Sequence, residues 1–335
     1  MNLSKLLERL VQLVPVLLGV GVIVFFMMAL TPGDPVEIML GDQNVTVEQE
    51  QMLRHDMGLD LPLHERFLKF LQNTVTGNFG LSFFHRRPVI DIIVERLPAT
   101  IELSLFALLL ALATAIPLGV VAAVRKNTIL DRLATVGSLF GVSMPGFWFG
   151  ILLLMLFAVH LHILPVSGRI SYDSEVPGIT HMLLIDTLLV GRLDSFLDAL
   201  KHLILPALTL GLPLAAILMR VTRTSMLEVL SQDYIVFAEA KGLSRVRVLM
   251  RHALKNALIP TVTVAALETG SLLGGNMIVE TVFGWPGLGR LVVESIFVRN
   301  YPLVQAAVLF YAVTYVMLNF VADILYTVLN PRVRL

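Results

Sequence analysis

Six stretches of the chain, approximately 10–30, 101–124, 133–160, 203–222, 257–279 and 303–329, are each predominantly apolar. About 20 such residues are what a helix needs to cross a bilayer core. Inside lipid every backbone N–H and C=O must find a partner within the chain, so segments of this kind fold as helices. The pattern predicts an all-α polytopic membrane protein with six spans. Only 15% of its 335 residues are charged and its mean hydropathy is +0.81, against about a quarter charged in water-soluble domains. Pro145 with Gly146 interrupts the third stretch and Pro206 with Pro213 the fourth; neighbouring helices or 3₁₀ turns can satisfy the groups such breakers free. The first stretch is too long for a signal-peptide core and runs into Thr31, Pro32, Gly33, Asp34 and Pro35 without a small-x-small cleavage site, so it reads as a retained span.

Lys plus Arg equals Asp plus Glu at 25 each, which gives no reason to expect nucleic acid as a partner. Resolved by side, the balance breaks. Segments 1–9, 125–132, 220–256 and 331–335 carry 14 Lys/Arg against five acids, whereas connections 31–100, 161–202 and 280–302 carry 11 against 17. By the positive-inside rule both termini face the cytoplasm, and the short loop with Arg125, Lys126 and Arg132 is the cleanest evidence. The long connections lie outside. In 31–100, Phe67, Phe70 and Leu71 share one helical face. The Gly77, Gly80 and Pro88 punctuation that follows predicts a small folded cap between spans 1 and 2. Residues 165–201, with Asp186, Asp194 and Asp198, read as a second structured external element, and the two together as a docking face.

Several chemistries are excluded. No GxxxxGKS/T loop is present, so ATP-driven work requires another subunit. HExxH, GxSxG and paired intramembrane aspartates are missing too; the reading is of no catalytic residue, no metal site and no cofactor bound by this chain. The absence of cysteine excludes disulfides, iron–sulfur clusters and thiolate zinc. His160 and His162, two residues apart on a helix, point to different faces, and the 14 methionines read as adaptable packing.

The largest inside connection, 223–256, carries the most specific signal. Asp233 suits an N-cap and Gly242 the residue beyond the end of a helix spanning Tyr234 to Lys241. At about 12 Å it is long enough to act as a peg on a partner. Ala238, Ala240 and Gly242 would permit close approach of that partner. Ser244 can cap a second helix with Arg247, Arg251 and Lys255 on a cytosolic face and Val246, Met250 and Leu254 on an apolar line toward the bundle.

This loop resembles the coupling motif of ATP-binding cassette importer permeases, in the form found in the dipeptide, oligopeptide and nickel uptake family: Ala238, Ala240, Lys241, Gly242, His252, Ala253, Leu254, Asn256, Ala257 and Pro260 match. The general motif has a proline about thirteen residues after its glycine; here Lys255 stands there, so only the first half carries over. Pro32 to Pro35, Gly58–Leu59–Asp60 with Pro62, Gly77 with Phe79–Gly80 and Ser82, and Leu97 with Thr100 resemble the external N-terminal region of the B-type peptide permeases. Ser143–Met144–Pro145, Pro165 to Gly168, Ser225 to Leu230, Trp285 to Gly289 and Asn330–Pro331 extend the likeness along the chain. The stretches His181 to Asp186 and Asp198 to Leu205 resemble the dipeptide branch.

The resemblance implies a MetI-like type I importer permease fold with its core over 98–327, flanked by a cytoplasmic 1–9, an external 31–100 and a cytoplasmic 330–335. It implies a subunit of the bacterial inner membrane that imports dipeptides or short oligopeptides. Its partners would be a homologous second permease, two ATPase subunits that use the ATP, an external substrate-binding protein and membrane lipid. Tyr234, Ala238, Glu239, Ala240, Lys241, Gly242 and Leu243 would seat in an ATPase groove. Nickel, glutathione or haem-precursor import by the same machine is the alternative; an ion-coupled secondary carrier, which would need inverted repeats and coupling acids, is a distant one.

Three acids fall in or near the spans, where charge is costly and usually faces a cavity or partner: Glu102, Glu268 and Asp323. Glu102 reads as interfacial and Asp323 as a packing acid. Glu268, near the middle of the fifth span and followed by Gly270, Ser271, Gly274 and Gly275, departs from the Gln usual in the family. With Ser271 it is the candidate for a translocation path, where it would attract a peptide ammonium; a protonated or hydrogen-bonded packing acid is the alternative.

Overall fold

The computed structural model describes residues 3–30, 32–40, 46–174, 176–273 and 276–329, with side chains described from Val14 onward except at 35, 38, 39, 323 and 325–329. Gly274, Gly275, Asn330, Pro331 and the side chain of Asp323, all singled out above, lie outside this set. Every regular element among the described residues is helical apart from one isolated bridge, Leu81 to Pro88. We number the helices α1 (Leu3–Leu30), α2 (Pro35–Leu40), α3 (Val47–Asp56), α4 (Leu63–Thr76), α5 (Val89–Val124), α6 (Ile129–Ser143), α7 (Gly146–His160), α8 (Leu183–Leu189), α9 (Leu193–Leu230), α10 (Asp233–Ala240), α11 (Arg245–Leu273), α12 (Met277–Val282), α13 (Leu288–Phe297) and α14 (Tyr301–Leu329).

Four of these, α5, α9, α11 and α14, are long and apolar enough to cross a membrane, and α6 with α7 makes a fifth candidate if the pair is one span. That pair bends by 106° at the Met144–Pro145 break. Pro145 cannot donate to the α6 ladder and pushes Met144 into an extended conformation. Pro206 and Pro213, by contrast, do not interrupt α9, which runs through both. The spans also overrun their predicted limits. α5 has 36 residues and α9 has 38, and at ~1.5 Å per residue both exceed a hydrocarbon core of about 30 Å by about 25 Å. Hydropathy marks where lipid begins and not where a helix does. The fifth span ends at Leu273, short of the expected 279; Met277 to Val282 belong to the separate α12.

The bundle is built on α5 against α9, the most extensive helix pair. Ala99, Leu103, Ala107, Ala111 and Ala115 recur every four residues along α5, all buried, and Gly119 continues the row. Small residues on one i±4 ridge let two backbones approach closely. A Cβ on Gly211 would lie 2.8 Å from the Ala107 carbonyl oxygen, and one on Gly119 would lie 2.7 Å from Thr222 Cβ. α11 joins α9 through a Thr222–Thr261 hydroxyl hydrogen bond of 3.0 Å and α5 through Ser104, whose hydroxyl donates to the Leu272 carbonyl at 3.0 Å. α1 packs on α14.

At the predicted external end, α3 opens with a reciprocal capping box between Thr46 and Gln49, and α4 closes on Gly77 at φ +70°. Phe67 and Phe70 of α4 meet Phe25 of α1, with ring centroids 5.1 and 5.5 Å apart. The fully buried Asn300 accepts from the Phe83 N–H at 3.2 Å and donates to the Ser82 hydroxyl at 2.6 Å, fixing the 81–88 turn to the start of α14.

Candidate functional site

The coupling candidate is a short helix mounted on a small core of its own. α10 begins at Asp233, with Gln232 in the cap position and no side-chain cap bond, so Asp233 is the first helical residue and not the N-cap. Gly242 has φ +76°, and the Gly242 and Leu243 N–H groups donate to the carbonyls of Glu239 at 2.9 Å and Ala238 at 3.4 Å. Glycine there lets the chain reverse without a Cβ penalty. Ile235 and Ala238 are buried against Met226, Val248, Ala253 and Ala257. Ala238 therefore serves the loop's own packing. Ala240, Glu239, Lys241 and Gly242 are exposed, and Leu243 is half-buried.

The helix after it does not bury the expected line. Val246 and Met250 are 70% and 57% exposed. Residues 248–253 form a π-helical turn, and the buried positions are Val248, Ala253 and Ala257, spaced by five and then four. One extra residue per turn rotates the face by roughly a quarter turn, which a uniform 3.6-residue period could not foresee. Arg247, Arg251 and Lys255 are exposed as expected.

The outward surface of α10 carries two residues that the motif match passed over. Val236 and Phe237 are 60% and 61% exposed and stand beside Tyr234 at 42%. The Tyr234 hydroxyl accepts from the Asn256 side-chain amide at 2.9 Å, and the Lys241 ammonium lies 4.3 Å from the centre of the Phe237 ring. Burying three such side chains against a partner would contribute several kcal/mol at ~25 cal/mol per Å² of apolar area. The unbroken apolar run Tyr234 to Ala238 was the signal in the sequence that could have found them, since five consecutive apolar residues on a short helix cannot all face one core. Beneath the loop, Arg223 near the end of α9 donates twice to Asp131 at the start of α6, at 2.5 and 2.9 Å, and Asp131 also accepts from the Asn127 N–H at 2.8 Å.

The path candidates lie one turn apart on α11. Glu268 is half-buried and Ser271, one turn on, is exposed. Gly270, between them, faces the other way, and a Cβ there would lie 3.4 Å from Tyr315 of α14. Glu268 forms no hydrogen bond or ion pair with another described residue.

A third cluster lies at the opposite end from α10, where the sequence offered no side-chain constellation. Glu102, read above as interfacial, is 5% exposed and accepts from Arg169 at 3.1 and 2.5 Å and from the Leu184 N–H at 2.7 Å. One carboxylate thus ties α5 to the connection before α8 and to α8 itself. Arg169 also lies 5.7 Å from the centre of the Trp285 ring. Next to it Glu280, 1% exposed, accepts from the Thr100 hydroxyl at 2.8 Å, the Arg290 N–H at 3.0 Å and the Gly289 N–H. Burial holds its carboxyl above the ordinary carboxylate range against the pull of these donors. Trp285 donates its indole N–H to the Ala99 carbonyl at 2.8 Å, and the Leu288 N–H donates to the Thr100 hydroxyl at 2.9 Å. Trp285 to Gly289 are therefore folded around one buried carboxylate, and a Cβ on Gly287 would lie 2.5 Å from both of its oxygens. Any side chain at 287 would displace the acid.

Residues 115–335 match the family described as the binding-protein-dependent transport system inner membrane component, and residues 2–104 match the N-terminal model of the same system. The chain belongs to this family. A dipeptide transport system permease protein, DppB, of Escherichia coli K12 is 43% identical over 336 residues, 99% of each chain. A di/tripeptide transport system permease protein of Pseudomonas aeruginosa UCBPP-PA14 is 45% identical over 332 residues, again 99% of each, and a glutathione transport system permease protein, GsiC, of E. coli K12 is 38% identical at the same coverage. Among solved structures, a chain of the MetNI methionine ABC transporter aligns with a TM-score of 0.54 at 15% identity, covering 72% of this chain and 97% of that one. That likeness establishes the fold. This permease is a multi-pass membrane protein of an ABC importer family, and its work is transport.

Proposed function

We propose that the permease carries dipeptides or short oligopeptides across the bacterial inner membrane, with energy delivered through α10. The observation that carries this reading is the build of α10: an apolar outer surface of Tyr234, Val236 and Phe237 on a helix fixed to the bundle through Ile235 and Ala238. An exposed apolar knob on a rigid mount is a lever and suits a groove on an ATPase subunit. ATP bound to a pair of such subunits can move the permease only if it binds one of the permease's states more tightly, so closure must favour the outward-open one. Residues 234 and 238–243 are the coupling set in this proposal, extended by Val236 and Phe237.

The remaining assignments belong to the same proposal. Six spans, counting α1 and the bent α6–α7 pair, put both termini in the cytoplasm, and residues 98–327 form the transmembrane core. A homologous permease and two ATPases complete the membrane complex, an external binding protein delivers substrate to the face carrying α3, α4 and α8, and Glu268 with Ser271 lines the path. This chain performs no bond chemistry and binds no cofactor. The dipeptide assignment rests on relatives at 43% and 45% identity, against 38% for the glutathione permease.

The test is co-purification with the ATPases encoded beside it. Deleting Tyr234 to Leu243, or replacing Phe237 with Asp, should abolish the association or leave ATP hydrolysis running without uptake. Full transport by both variants would refute the coupling assignment. A binding screen on the partner binding protein identifies the cargo.

A further inference from the structure

A cavity of about 230 Å³ lies between the outer end of α1, helix α4 and the first residues of α14. Its floor is aromatic, with Phe25, Phe70 and Tyr301 among the lining residues, and its rim carries Arg66 and Lys69. Three residues apart, the two cations project from one face of α4. Neither side chain makes a hydrogen bond or an ion pair with another described residue. Asp60, close enough to act on Lys69, is held by His55 at 2.7 Å. Asp56 also lines the cavity and is the one acid among the lining residues, which leaves a net positive rim.

The level of this cavity in the fold defines what can reach it. Phe25 is five residues from the end of α1 and Tyr301 is the first residue of α14, so the cavity straddles the plane where two apolar helices end. Among the described residues α1 packs chiefly on α14 and, less, on α4, which puts it at one edge of the bundle. Aromatic walls below and cations above are what a membrane–water boundary selects. A volume of 230 Å³ holds about eight waters at ~30 Å³ each, room for a phosphate and a short polyol.

We propose that this cavity is a binding site for the headgroup of an anionic phospholipid. The phosphate lies between Arg66 and Lys69, the glycerol rests on Phe70 and Tyr301, and the acyl chains stay in the bilayer alongside α1. Such a lipid braces the N-terminal cap against α1 and α14.

The experiment uses the assembled transporter purified in detergent. Phosphatidylglycerol or phosphatidylethanolamine is added back, and retained lipid per complex is counted by native mass spectrometry alongside the melting temperature. Wild type should keep at least one phosphatidylglycerol and be stabilised by it. The double variant Arg66→Gln/Lys69→Gln should bind it roughly tenfold to thirtyfold more weakly, at about 1 kcal/mol per lost cation. Arg66→Lys/Lys69→Arg should keep it, and the control Arg125→Gln/Lys126→Gln should leave it unchanged. Equal retention and stabilisation in wild type and the Gln double variant overturns the proposal. So does equal stabilisation by phosphatidylethanolamine, by inorganic phosphate alone or by a free dipeptide, the last marking the cavity as a peptide site. If the Gln pair does not assemble, loss of retained phosphatidylglycerol in Lys69→Gln alone carries the test, and unchanged retention there overturns it.

Discussion

Replacing Glu280 with alanine should measurably weaken the assembled permease. The carboxylate is 1% exposed and accepts from the Thr100 hydroxyl and the backbone N–H groups of Arg290 and Gly289. Alanine leaves all three donors buried without an acceptor, at about 1–3 kcal/mol each. Release of a buried carboxyl returns part of this, so the net loss is about 3 kcal/mol. Glutamine keeps one acceptor oxygen and turns its NH₂ toward a donor, for a loss of about 1–2 kcal/mol. At roughly 2 °C per kcal/mol for a chain of this size, fluorescence-detected size-exclusion melting should give drops of about 6 °C for Glu280→Ala and about 3 °C for Glu280→Gln. Gly287→Ala should resemble Glu280→Ala, because its Cβ would lie 2.5 Å from the carboxylate oxygens. Burial raises the Glu280 pKa above its ordinary 4.5. The folded state thus holds its proton to higher pH than the unfolded chain, and stability declines as pH climbs from 4.5 through the raised value. Glu280→Gln should remove that slope. Melting of Glu280→Ala within about 1 °C of wild type, or an unchanged pH slope in Glu280→Gln, would refute the reasoning.

Three further outcomes follow from the bundle. Asp131→Asn or Arg223→Met alone should cost near the lower end of about 3–5 kcal/mol, because each strands a half of a pair 5% and 23% exposed, and the double change to apolar residues should recover most of it; a melting double-mutant cycle checks this. Gly211→Val should lower the melting temperature through about 1–3 kcal/mol of overpacking, since even its Cβ meets the Ala107 carbonyl at 2.8 Å. Glu268→Gln should reduce uptake of a free-ammonium dipeptide relative to its N-acetylated form in a liposome assay, and an unchanged preference would sink the path assignment.

Lipid chemistry made most of the architecture legible. A run of twenty apolar residues has few folds open to it, so the helical class and the approximate spans followed from hydropathy, and sidedness was assigned by asking where 25 positive charges lie. Gly242 was readable because reversal after a helix needs a positive φ. Hydropathy could not tell a through-running proline from a breaking one. Pro206 and Pro213 sit inside α9 and Pro145 turns the chain by 106°, a choice made by the neighbours that satisfy the freed carbonyls.

The sequence by itself determined that the chain is helical and membrane-borne, and it singled out by local pattern the loop proposed to do the coupling. Tertiary structure alone decided which polar residues meet. Thr100 and Glu280 are 180 positions apart, Glu102 and Arg169 are 67, and Asp131 and Arg223 are 92. Pairings at such distances depend on how α5, α9 and the return segments stack, and no periodicity encodes that. The π turn at 248–253 belongs with them, because one extra residue per turn rotates the whole face that α11 turns toward α10.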